Sequence, residues 1–155
     1  MRLEIQAGPA RARVPADHFL EYEAFRQLYE RPYLEYARLR IGDAERAAHA
    51  VAQAFNALSS GWAGMLRSAS LAAAAWTVLD TAVVSISDEC GSSWARRSCH
   101  LTAGQADAVR LHHYLGFTVP ETAALLGVDD HTVDAALGSA ARSVCPARRC
   151  RLGPA

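Results

Sequence analysis

The chain has 155 residues, about half of them apolar, and its 16 basic side chains balance its 16 acidic ones. A chain of that composition can bury a core and need not be disordered, and its length suits one ordinary domain or two small ones. The charge balance excludes a strongly basic protein built to lie on nucleic acid, which would carry a cationic face. Alanine is abundant and β-branched runs are few, so an all-α fold is expected. No uncharged apolar stretch of about 18 residues occurs, so no membrane partner is expected. The start, "MRLEIQAGPARARVPA", lacks the apolar centre of a secretion signal. A cytoplasmic protein with reduced cysteines is the expectation.

Residues 1–16, with Pro9, Pro15 and three arginines, read as a flexible arm. A helical bundle is expected over 17–83. Its first helix, about 18–30, sets Tyr22, Phe25 and Tyr29 on one face. Pro32 suits the first turn of a second helix that ends at Gly42. Asp43 caps a third, about 44–59, with a stripe of Ala48, Val51, Phe55 and Leu58. The fourth keeps a three-four rhythm through Met65, Ala69, Ala72, Trp76, Leu79 and Val83. Residues 84–100 lose that rhythm and read as a linker. A helix-turn-helix unit follows over 101–144, and 145–155 is a basic tail.

The second unit announces its own boundaries. Thr102 with Gln105, and Thr118 with Glu121, have capping-box spacing. Gly116 and Gly127 suit left-handed helix ends, and Asp129 can cap the last helix, about 130–143. "VPETAALLGVDDHTVDAALGSAAR", residues 119–142, therefore reads as two helices joined by a tight turn. Val133 and Leu137 anchor the second helix, leaving His131, Thr132, Asp134, Ala135, Gly138 and Ser139 towards the face that would meet base edges. Arg142 is placed to reach a phosphate. The charge is unusual for that task, because 101–144 holds two Arg against five acids. Asp134 would repel phosphates, although a carboxylate can accept a bond from cytosine N4.

Residues 101–142 resemble region 4, the promoter-reading domain, of extracytoplasmic-function sigma factors of bacterial RNA polymerase. The likeness lies in the Leu-Thr start, the Tyr-Leu-Gly stop, "ETAALLGV" and the Thr-Val pair of the last helix. "FRQLYERPYLEYARLRIGDAERAAHAVAQAFNAL", residues 25–58, is similar to region 2 of the same family. The resemblance implies a transcription regulator with core RNA polymerase, promoter DNA and an anti-sigma or other regulatory protein as partners. It implies DNA contacts from His131, Thr132, Asp134, Ala135, Ser139 and Arg142, and polymerase contacts from the region-2-like face His49, Ala52, Gln53 and Asn56. The family's polar pattern has changed at several of these places. An acid is replaced by His49, a Gln by Ala52 and a Glu by Gln53, and the family's Trp falls on Ser59. In the last helix a Lys is replaced by Asp134 and an Arg by Ala136. The expected function is thus a sigma-like regulator that binds polymerase and, weakly or conditionally, promoter DNA. The alternative is a sigma scaffold reduced to a protein-interaction module.

Other residues carry plainer expectations. Cys90, Cys99, His100, Cys145 and Cys150 lack zinc-knuckle spacing, so no metal and no cofactor are expected. One of His112 and His113 should pack and the other face water. Trp62, Trp76 and Trp94 read as packing residues. No nucleophile with its base, and no phosphate loop, stands in a recognisable setting, so no enzyme is expected.

Overall fold

The computed structural model describes residues 14–87 and 101–144. These residues form an all-α fold of six helices with no strand among them. After a short 3-10 turn at Ala16–His18 come α1 (Phe19–Ile41), α2 (Ala44–Leu66) and α3 (Leu71–Ile86). The second segment holds α4 (Ala103–Val109), α5 (Val119–Leu126) and α6 (Asp130–Val144). A single π-turn, Arg110–Tyr114, prolongs α4.

The first segment has three long helices where four were expected. Pro32 lies inside α1 and does not start a new helix. An interior proline costs about 3 kcal/mol through its lost N–H bond and its ring clash. Packing offsets that cost. Phe25, Tyr29, Tyr33 and Tyr36 keep one stripe across the proline, with Phe25 stacked on Tyr29 at 4.2 Å and Tyr33 edge-on to Trp76 at 5.9 Å. Leu28, whose carbonyl loses its donor to Pro32, sits on the solvent side at 72 % exposure, where water can serve instead. Similarly, α2 runs past residue 59 to Leu66. Trp62 holds that extension by packing against Tyr22 and Phe25 at 5.3 and 5.4 Å. Met65 therefore ends α2 and does not begin the next helix. Ala48, expected in the α2 stripe, is exposed, and Ala47 and Ala54 are buried beside Val51, Phe55 and Leu58.

The caps fall where the residue types place them. Asp43 accepts from the Arg46 N–H at 2.8 Å, and Ser70 accepts from the Ala73 N–H at 3.2 Å. Both capping boxes of the second segment are complete. Gly42, Gly116 and Gly127 take left-handed conformations at helix ends.

The main core lies among α1, α2 and α3 and continues into the second segment. Leu111 and Leu125 belong to the same buried cluster as Tyr33, Leu58 and Leu79. A smaller cluster of Ala108, Ala123 and Val133 holds α4, α5 and α6 together. Two tyrosines are sealed in the main core, Tyr33 and Tyr36, and burial pushes both phenols up, with the nearby Asp107 adding to the effect on Tyr36.

Candidate functional site

Helices α5 and α6 meet at the turn that Gly127 makes possible. Ala123 lies at their crossing and is buried, whereas Ala124 is exposed. Val133 is fully buried and Leu137 packs partly against the same small cluster, so both expected anchors of α6 face inward. Asp129 caps α6 by accepting from the Thr132 N–H at 2.7 Å.

With that side fixed, the six residues expected to meet DNA stand on one broad side of α6. His131, Thr132, Asp134, Ala135 and Arg142 are exposed to solvent and Ser139 is half-buried. Thr132, Ala135 and Ser139 line a groove between α6 and α3, with a cavity volume of about 640 Å³. Across the groove stand Trp76, Thr77, Asp80 and Thr81 of α3. Arg142 donates to Ser139 Oγ at 3.3 Å, so the one arginine of α6 among the described residues leans along its own helix.

The acids around α6 have a structural reason to be there. Glu121, Asp129 and Asp130 sit at helix starts, where the unpaired N–H groups and the helix dipole favour negative charge. The same charges oppose a phosphate backbone. Hydrogen bonds from the Thr118 backbone and hydroxyl hold Glu121 below the usual carboxylate range, and bonds from Thr132 do the same for Asp129. A carboxyl lowered in the folded state contributes stability above its unfolded pKa and loses it as pH falls through its folded pKa. Acidification below about pH 4 is therefore expected to fray the first turns of α5 and α6. Amide exchange at Glu121 and Thr132 should then rise before that at Leu79; simultaneous loss would show that the caps open only with the whole fold.

A second surface lies on α2. His49, Ala52, Gln53 and Asn56 are all exposed and share one face at helical spacing, with His49 and Gln53 hydrogen-bonded at 3.0 Å. A shallow cleft of about 190 Å³, lined by Arg26, Glu30 and Leu34 of α1, borders Ala52 and Asn56.

The residues that join the two segments were hidden in the sequence. Asp107, buried in α4, accepts from Tyr36 Oη at 2.7 Å, Arg110 Nη1 at 2.9 Å and Trp76 Nε1 at 3.1 Å. Arg40 donates to Tyr36 Oη at 2.7 Å and to Asp80 Oδ1 at 3.1 Å. Two arginines and two aspartates are thus gathered around one phenol and one indole, binding α1, α3 and α4. Ser70 adds a further tie by donating to the Gly127 carbonyl at 3.3 Å. The faint signal was Asp107 itself, an acid between Ala106 and Ala108 and one turn before Leu111. An acid on an apolar stripe calls for a buried partner.

Of the histidine pair, His112 is half-buried and bonds the Phe117 carbonyl at 2.8 Å, while His113 is exposed. Trp62 and Trp76 are buried. Among the described residues no group of three His, Cys, Asp or Glu side chains is placed to hold a metal ion. Cys90, Trp94, Cys99, His100, Cys145, Cys150 and the arginines of the arm and tail lie outside the described residues. No described helix is long and apolar enough to cross a membrane.

No family model matches the chain, and no curated protein or solved structure matches it.

Proposed function

We propose that this chain is a sigma-factor-like transcription regulator that binds core RNA polymerase and engages promoter DNA only conditionally. The reading rests on the likeness of residues 25–58 and 101–142 to regions 2 and 4. It is supported by the capped α5–α6 pair, with its Gly127 turn and buried Val133. The face of α2 bearing His49, Ala52, Gln53 and Asn56 is the polymerase surface in this reading. The observation that makes DNA contact conditional is the position of α6 beside α3. A recognition helix about 10–12 Å across nearly fills a major groove about 12 Å wide. Thr132, Ala135 and Ser139 border the groove to α3, so a duplex that enclosed α6 would have to share that space with α3. Full insertion of α6 into a major groove therefore calls for α4–α6 to shift from α3, whereas a shallower approach meets the exposed His131, Asp134 and Arg142. The acids at the start of α6 favour a second reading, in which the scaffold binds proteins and has no sequence-specific DNA contact.

Co-elution of the purified chain with core polymerase at moderate salt tests the first reading. Separation of a folded, helical chain from the polymerase would reject it and leave the interaction module. DNA contact is tested apart from this by Asp134→Lys. The side chain is exposed on α6, and the substitution replaces a repelled charge with a phosphate-seeking one. It is expected to tighten binding to duplex DNA roughly tenfold at low salt, with the gain fading as salt rises. Fluorescence anisotropy reads the change. An unaltered affinity would mean that α6 does not face the duplex.

A further inference from the structure

We propose that the groove between α3 and α6 binds a small amphipathic amine, with its ammonium at Asp80 and its apolar body against Trp76, Leu126 and Val128. The cavity volume of about 640 Å³ falls within the range of ordinary ligand sites, roughly 300–1,000 Å³. It lies at a junction between chain segments, where such sites are common. Its walls combine an indole and aliphatic side chains with a few hydroxyls.

The chemistry of the wall selects the ligand. Asp80 and Asp107 are the charged residues that line the groove, and no arginine or histidine does. Asp107 is saturated by Tyr36, Arg110 and Trp76. Asp80 is not. Its Oδ1 takes a bond from Arg40 and lies 3.2 Å from Tyr36 Oη, whose one proton goes to Asp107, its Oδ2 has no hydrogen bond among the described residues, and its side chain is 37 % exposed. Thr77 and Thr81 flank it. Their hydroxyls donate to the carbonyls of Ala73 and Thr77 at 3.0 and 2.8 Å, so what they offer the groove is lone pairs. This wall of α3 therefore offers hydrogen-bond acceptors, with one oxygen of Asp80 paired to Arg40 and the other left to a donor in the groove. Trp76, one turn before Asp80, adds part of an indole to the same wall. Across the gap, Ala135 and Ala136 leave the space into which an apolar body fits.

The inference rests on the groove and not on the sigma-like reading. Should that reading hold, a bound amine would cover Thr132, Ala135 and Ser139 and compete with DNA. The test uses the full chain without polymerase or DNA, so its failure and the failure of the functional reading are separable. 4-Phenylbutylamine is titrated in parallel with 4-phenylbutyrate, an acid of similar shape, and amide and indole N–H shifts are followed by NMR. Saturable shifts at Trp76, Thr132 and Ala135 are expected with a Kd of about 1 mM or tighter for the amine, and at least tenfold weaker binding of the acid. Asp80→Asn is expected to weaken the amine about fivefold or more, because it removes the charge from the hydrogen bond. Asp80 also bonds Arg40, so Ala135→Leu provides a separate probe. Ala135 is exposed, and a leucine there fills the groove and should abolish binding with the helical signal unchanged. Equal affinity for amine and acid, shifts scattered away from the groove, absence of saturation, or unaltered binding by Ala135→Leu would each overturn the proposal.

Discussion

Asp107→Asn is expected to destabilise the fold by about 3 kcal/mol, the order expected when the carboxylate of a buried ion pair is removed. Asp107 is 6 % exposed and every one of its bonded neighbours donates to it. An asparagine keeps the shape, but its NH2 group turns a donor toward other donors. Arg110, 8 % exposed, loses the carboxylate 2.9 Å away. Tyr36 can still donate to Asp80 at 3.2 Å, so the damage falls mainly on the side of α4. Urea unfolding measures the loss. Hydrogen exchange tests its place, because α4–α6 should lose protection more than α1 and α2. A loss below about 1 kcal/mol, within the range of exposed ion pairs, would show that the network does not couple the segments. If the proposed function holds, the same variant should free the groove face of α6 for DNA.

Gly127→Ala should cost about 2–5 kcal/mol, for a different reason. Gly127 has φ +70, where a residue with a Cβ is strained by about 1–2 kcal/mol. The surroundings add to this. A Cβ at Gly127 would lie 2.6 Å from Ser70 Oγ and 2.8 Å from Ala73 Cα, and closer still to Ala73 N. These atoms begin α3, so backbone must move, at roughly 1–3 kcal/mol for overpacking. Gly42→Ala is the matched control. Gly42 has φ +78 and open space within 4 Å, so only the conformational strain applies. The expected loss there is about 1–2 kcal/mol. Equal losses at the two glycines in thermal unfolding would mean that α3 does not abut the turn.

The comparison of these two glycines separates what was legible in the chain from what was not. Both stand after an apolar stripe and so read as left-handed helix ends. Nothing around residue 127 in the sequence shows Ala73 pressing on it. The same holds for Pro32. Its residue type argues for a helix start, and the stripe from Phe25 to Tyr36 argues for continuity. The aromatic partners of that stripe on α2 and α3 decide the outcome. The candidate DNA face was legible as a set of non-anchoring positions on α6. The groove that Thr132, Ala135 and Ser139 border was not, because α3 forms its other wall.

By itself the sequence determined the all-α class, the capped starts at Asp43, Thr102, Thr118 and Asp129, the left-handed ends at Gly42, Gly116 and Gly127, and the inward anchors of α6. All of these depend on groups within about two helical turns of one another, the range of caps and amphipathic stripes. The tertiary structure alone decided that α1 runs through Pro32, that Asp107 ties α4 to α1 and α3, and that one edge of the candidate reading face borders a groove to α3. Those outcomes depend on partners far apart in the chain: Asp107 meets Trp76 across 31 residues and Tyr36 across 71. Local periodicity shows which side of a helix is buried, but the identity of what it is buried against emerges only when the helices pack.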